Sequence, residues 1–234
     1  MEIAYPVVAG LLRPPFRHGL RWRTEGLERV PAQGAVILAS NHVSYLDPLV
    51  VAMAVDRRRR RVRFLAKDEL FRKQPLGGFL RAAGQIPVAR GTSDAATSLD
   101  AAVGALHDGE CVVVFPEGTI SLDLEPMAGK TGTARLAAAS GVAVLPVGVW
   151  GAHRIMFKGR RPRWRTGVAV SLVVGEPIRV AADEDPRVAT DRVMAGVCAA
   201  VARAREIYPQ APRTDEDDWW VRGPDSAVLR PCGG

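Results

Sequence analysis

Cysteine is scarce in this 234-residue chain, and the three present, Cys111, Cys198 and Cys232, show no C-x-x-C or metal-ligand spacing. They fall in a strand-like run, a helix-like run and the C-terminal stretch, as free thiols in a reducing compartment do. Lysine is nearly absent too. Lys67, Lys73, Lys130 and Lys158 are the only ones, so the net charge of +7 and the pI near 9.9 rest on arginine. Abundant alanine alongside the arginine points to a GC-rich genome, which accounts for part of that basicity. The remainder favours an anionic partner, whether nucleic acid, lipid headgroups or phosphorylated substrates, without choosing among them. No apolar run reaches the roughly 18–20 residues a spanning helix needs, so no membrane crossing is expected. No Lys or Arg precedes the apolar residues Ile3 to Leu12, which argues against a signal peptide. Internal repeats and low-complexity tracts are missing. His18, His107 and His153 lie far apart without paired spacing, which gives a metal site little support. Ala128-Gly129-Lys130-Thr131 echoes the end of a P-loop, but Leu124 stands where its earlier glycine belongs.

What is present suits one α/β domain. Hydrophobic residues make up 47% of the chain and charged ones 24%, enough for a sizeable core. Short apolar runs alternate with longer amphipathic ones, the pattern of a mainly parallel central sheet flanked by helices. Strands are expected at 35–39, 63–66, 86–88, 111–115, 143–149 and 168–174. Helices are expected at 93–106, 130–139 and 186–208, with broken helical segments over 69–83. Residues 1–30 read as an N-terminal helix and lead-in, 31–208 as the domain and 209–234 as a tail. The tail is rich in proline and acid and carries Trp219-Trp220, which either dock on the domain or sit at a bilayer interface. The first residues, apolar and followed by Arg13, Arg17, His18, Arg21, Trp22 and Arg23, fit an interfacial anchor or a helix packed on its own domain.

The most informative stretch is Asn41-His42-Val43-Ser44-Tyr45-Leu46-Asp47-Pro48. On an ideal helix His42 and Asp47 would lie about 140° apart, so they meet only if the chain turns back between them. Ser40 and Asn41 supply turn chemistry, and Pro48 reads as the first position of a helix with Asp47 as its N-cap. Capping alone would explain Asp47. A base and its orienting acid would explain both residues.

Three further segments follow in order: Gly84-Gln85-Ile86-Pro87-Val88-Ala89-Arg90, Phe115-Pro116-Glu117-Gly118-Thr119 and Val144-Leu145-Pro146-Val147-Gly148. With the His-x4-Asp box they resemble the four blocks of the glycerolipid acyltransferases, and within that family the bacterial lysophosphatidate acyltransferases. Phe64 to Phe71 is similar to the segment that precedes the second block. The resemblance spans about Gly34 to Trp150 and implies a single α/β domain with a mixed sheet. It implies direct transfer of a fatty acyl group from acyl-CoA or acyl-ACP to the hydroxyl of lysophosphatidate, with no cofactor. No Gly-x-Ser-x-Gly elbow is present, in keeping with a mechanism lacking an acyl-enzyme.

By this resemblance His42 takes the hydroxyl proton, and Asp47 fixes its tautomer and stabilises the imidazolium. Arg90 and Lys67 grip the acceptor phosphate, since fixed cations suit its oxygens. Glu117, Gly118 and Thr119 form the acceptor pocket, Glu117 by meeting a glycerol hydroxyl or bracing basic residues. The third block of the family commonly continues with a basic residue, and here Ile120 stands in its place. Arg90, Lys67 and Lys130 would then carry the anion. The expected partners are a lysophospholipid, an acyl thioester donor, an anionic membrane bound peripherally at its cytoplasmic face and, as one donor carrier, acyl carrier protein; no nucleic acid is expected. Two rivals stand: the same chemistry on glycerol 3-phosphate or another lysophospholipid, and a non-catalytic membrane or nucleic-acid binder acting through Arg57 to Arg63.

Overall fold

Val36–Ser40 (β2), Cys111–Val114 (β5), Val144–Trp150 (β6) and Val168–Val174 (β7) are buried at every position, so both faces of the sheet they form are covered. The computed structural model describes residues 4–88, 94–212 and 218–222. Three outer strands complete the sheet, Leu20–Glu25 (β1), Arg63–Lys67 (β3) and Ile86–Val88 (β4), in the order β1-β7-β6-β2-β5-β3-β4. Only the β6–β7 pair is antiparallel, so β1 and β7 run against the other five strands. A mixed, mainly parallel sheet was expected, and the register bears it out: Ile37 lies opposite Val112 on one side and Val144 on the other.

Eight helices accompany the strands among the described residues: Ala4–Gly19 (α1), Asp47–Asp56 (α2), Asp68–Arg72 (α3), Leu76–Ala82 (α4), Asp94–His107 (α5), Gly132–Ser140 (α6), Pro186–Glu206 (α7) and Trp219–Arg222 (α8). One face of the sheet packs on Phe16 of α1 and on Val50, Val51 and Ala54 of α2. The other packs on Leu106 of α5, Leu136 of α6 and Val193, Val197 and Val201 of α7. Burying each such valine, leucine or phenylalanine side chain fully contributes about 1.5–3 kcal/mol. Proline starts α7 at its first position, and Asp185 caps it by accepting from the amides of Arg187 and Val188. Gly148 lets α7 approach β6 closely, because a Cβ there would fall 2.2 Å from the Ala200 carbonyl carbon.

One stretch departs from expectation, and a second decides between two alternatives left open. The first is β1, which places the sheet's edge within residues 1–30. Its alternation of half-buried Leu20, Trp22 and Thr24 with exposed Arg21, Arg23 and Glu25 is a strand signal hidden among arginines. Trp22 donates from its indole nitrogen to the Phe16 carbonyl at 2.7 Å and lies under the Arg57 guanidinium, so it belongs to the domain. The second is α8, which docks on the domain and leaves Trp220 2% exposed.

The arginine run is also absorbed. Arg60 bonds the carbonyls of Ala32, Gly34 and Gly109, and Arg63 pairs with Glu110 at 3.0 Å and bonds the Gly84 carbonyl. Arg60 and Arg63 therefore stitch loops together, whereas Arg57, Arg59 and Arg61 stay exposed. Among the described residues no helix is long and apolar enough to cross a membrane.

Candidate active site

β2, β3, β5 and β6 point their carboxyl ends the same way, and the loops that leave those ends build the site, as in other open α/β sheets. Asn41 carries the β2 ladder one step further with its side chain. Its Oδ1 accepts from the Val149 amide at 2.7 Å, and its Nδ2 donates to the Val149 carbonyl at 3.1 Å. The chain then leaves the sheet with His42 at the rim.

Asp47 proves to be the first residue of α2, with Leu46 in the cap position. Its carboxylate reaches backward because the preceding turn presents donors to it. Oδ2 accepts from the amides of Val43 and Ser44, both at 2.7 Å, and lies 3.1 Å from His42 Nδ1. Three donors thus converge on one oxygen of a fully buried side chain. With Nδ1 as donor, the imidazole keeps its lone pair on Nε2. The ring stacks on Phe115 with centroids 4.4 Å apart, and its side chain remains 17% exposed. This is a base held by an acid, with its reactive nitrogen left available.

Glu117 stands elsewhere than in an acceptor pocket. Oε1 accepts from the His42 amide at 2.9 Å and Oε2 from the Met127 amide at 3.1 Å. The residue is 3% exposed and does not line the cavity beside His42. Burial pushes its carboxyl up to about 8, the two amide bonds pull the other way, and Asp47 and Asp123 add to the rise. Glu117 therefore joins the base-bearing turn to the 121–127 loop, and the Ser121 amide adds a second link to the His42 carbonyl at 2.8 Å. Gly118 takes φ 71° in the turn after β5, a conformation a side chain would strain.

A cavity of about 590 Å³ opens beside the imidazole. Its walls are apolar, supplied by Leu49 and Met53 of α2, Leu65 of β3 and Leu76, Phe79 and Leu80 of α4. His42, Lys67, Gln85, Thr119 and Lys158 bring polar groups to it, and Gly118 and Ile120 lie on the same wall. Lys67, Gly118 and Thr119 are thus brought together with His42. Lys130 is not among the lining residues, and Arg90 lies outside the described residues. Among the described residues no three His, Cys, Asp or Glu side chains gather as a metal site requires.

The family model described as Acyltransferase matches residues 21–150. This chain belongs to the acyltransferase family. Residues 1–20 and the last 84 fall outside that match, whereas the acyltransferase sheet described above includes β7 beyond it. A 1-acyl-sn-glycerol-3-phosphate acyltransferase of Bacillus subtilis is 26% identical over 156 residues, 66% of this chain and 72% of its own. An N-acylphosphatidylethanolamine synthase of Arabidopsis thaliana is 33% identical over 157 residues, 61% of this chain and 55% of its own. The fold matches the crystal structure of the 1-acyl-sn-glycerophosphate acyltransferase PlsC from Thermotoga maritima with a TM-score of 0.66 and 24% identity. That match covers 90% of this chain and 85% of the other.

Within this acyltransferase, Asn41, read from the sequence only as a turn former, and Ser44, given no role there, both matter to the geometry. Ser44 Oγ donates to the Met156 carbonyl at 2.6 Å and accepts from the Leu46 amide at 3.0 Å, which locks the turn from both sides. Their placement inside the box was the available signal. A short polar residue at each step of a strand-to-helix turn has backbone groups to satisfy.

Proposed function

We infer that this acyltransferase moves a fatty acyl group from a coenzyme A or acyl-carrier-protein thioester to the free hydroxyl of lysophosphatidate, giving phosphatidate. One observation carries the reading: a carboxylate-oriented imidazole beside an apolar-walled cavity of about 590 Å³, within the usual range of about 300–1,000 Å³ for ligand sites. His42 Nε2 takes the hydroxyl proton as the oxygen attacks the thioester carbonyl. The tetrahedral adduct collapses, the C–S bond breaks, and the departing thiolate receives the proton from the imidazolium. Asp47 balances the imidazolium charge meanwhile. Thr119 and Gly118 face the acceptor, Lys67 and Arg90 meet its phosphate, and the reaction needs no cofactor. The relatives named for 1-acyl-sn-glycerol-3-phosphate support the acceptor.

The acyltransferase works at the cytoplasmic face of an anionic membrane, bound peripherally. Exposed Leu11, Tyr45 and Phe79 support this, being apolar groups on the elements that border the cavity. A second acceptor class, a lysophospholipid with a larger headgroup, is favoured by Ile120, which adds no charge to the cavity wall. The deciding experiment presents purified protein with one acyl-CoA and a panel of acceptors, and identifies the products by mass. Phosphatidate as the main product is the expected result; its absence beside a product from another acceptor overturns the assignment.

A further inference from the structure

The loop after β6 has no role in the mechanism above, yet it reaches the same cavity. Lys158 lines that cavity with His42, Lys67, Thr119 and Ile120. Seven arginines, Arg13, Arg29, Arg63, Arg72, Arg192, Arg203 and Arg205, each pair with a carboxylate. Lys67 and Lys158 make no ion pair or side-chain hydrogen bond among the described residues, and they are the cavity's two ammonium groups there. Cations left unpaired beside a reaction centre are suited to an anion that arrives with the substrate.

The residues around Lys158 are held, so its side chain leaves the loop from a defined place. Two residues before it, the Met156 carbonyl accepts from Ser44, a member of the turn that carries His42 and Asp47. One residue before it, Phe157 is 4% exposed, with its ring 5.6 Å from that of Trp219. Two residues after it, the Arg160 amide bonds the Phe157 carbonyl and its guanidinium lies 3.9 Å over the Trp219 ring. A firmly anchored base under an exposed, unpaired ammonium reduces the ordering entropy a ligand must overcome. On the opposite count, Ile120 is 7% exposed and offers that wall no charge.

We propose that Lys158 is a specificity residue for the acceptor, its ammonium binding the terminal phosphate together with Lys67. This rests on the lysophosphatidate reading. A phosphate monoester carries about −1.5 to −2 charges near pH 7, whereas a diester headgroup presents one and a monoacylglycerol none. A site with two unpaired ammonium groups gains most from the monoester, and it discriminates against an acceptor that leaves one of them without a partner.

The test measures initial rates with acceptors of one acyl chain: lysophosphatidate, a lysophosphatidylglycerol and a monoacylglycerol. Lys158→Ala raises KM for lysophosphatidate about 10-fold or more, as loss of a charge-assisted bond does, and changes kcat less than about twofold. Its KM for the monoacylglycerol stays constant. Lys158→Arg keeps most of the wild-type KM, and Ile120→Arg added to Lys158→Ala recovers part of the loss by returning a cation to the wall. An unchanged lysophosphatidate KM in folded Lys158→Ala overturns the proposal, and so does an equal rise for all three acceptors. Wild-type protein that acylates the diester and ignores lysophosphatidate overturns the acceptor reading instead. Lys158 is then judged on the diester's KM, where no change overturns it as well.

Discussion

His42 and His153 are the same side chain in opposite settings. His42 gives Nδ1 to Asp47 and leaves its other nitrogen beside a cavity. His153 is enclosed by Trp150 and Trp219 and bonds through Nε2 to the Trp220 carbonyl at 2.9 Å. Burial drives its pKa down to about 3, and the charges of Arg154 and Arg205 push the same way against the Trp220 bond. His153 thus holds α8 in place and takes no proton near neutrality. The difference lies in what surrounds each ring. A base needs an acceptor at one nitrogen and free approach at the other, and only His42 has both.

The largest effect expected is on His42. His42→Ala lowers kcat by about 10² to 10⁴, the usual contribution of a general base, with the melting temperature nearly unchanged. Steady-state rates beside a thermal melt decide it; full activity in a folded variant removes His42 from the mechanism. His153→Ala is the mirror image. It leaves a large buried cavity under α8 and costs about 2–4 kcal/mol, which lowers Tm by about 5–15 °C while retaining most activity at low temperature. A loss of catalysis without a loss of stability would erase the contrast between the two histidines.

Glu117→Ala comes next, because it strands two amides rather than a reacting group. Orphaned donors cost about 1–3 kcal/mol each, and the turn that carries His42 loosens, so kcat falls together with Tm. Unchanged kcat in that variant would show that the His42 turn needs no brace.

The smallest effects are in pH dependence, and the two buried groups act at opposite ends. Between about 6.5 and 3 the unfolded chain takes up a proton at His153 that the folded chain refuses, so stability falls with acid across that window. Glu117 keeps its proton in the folded state up to about 8, whereas the unfolded carboxyl loses it near 4.5. Its contribution is therefore present below 4.5 and lost as pH rises through about 8. Melting curves recorded across this range should show the acid limb flattened in His153→Gln and the alkaline limb flattened in Glu117→Gln. A wild-type profile unaffected by either change would contradict the burial argument.

Much of the fold was legible from apolar runs, because a strand buried on both faces needs continuous Val, Ile and Leu, as in Val168–Val174. β1 was not, since its three half-buried residues alternate with charge and only pairing with β7 makes them a strand. In the site, the His42–Asp47 spacing was readable because a turn can be argued from five residues. The partners of Glu117 were not readable, for the converse reason. Its partners, His42 and Met127, are 75 and 10 positions away, and a carboxylate that binds backbone amides leaves no trace in the identity of those partners. The tryptophan pair was left open between core and bilayer, and the aromatic contacts of α8 with Phe157 and Tyr208 place it in the domain.

The amino-acid sequence by itself carried the four blocks whose resemblance implies the class of chemistry, and all the strands but β1, because short blocks and apolar runs are local properties. Tertiary structure alone decided which charges are free. Arg57 to Arg63 carries a dense block of positive charge, yet Arg58 and Arg60 are turned to carbonyls, Arg63 to a carboxylate and Arg57 to an indole ring. Lys67, which the resemblance singles out, and Lys158, which nothing in the sequence marks, face the cavity unpaired among the described residues. Ion pairing and burial depend on distances between remote segments, which the folded sheet sets and the linear order does not.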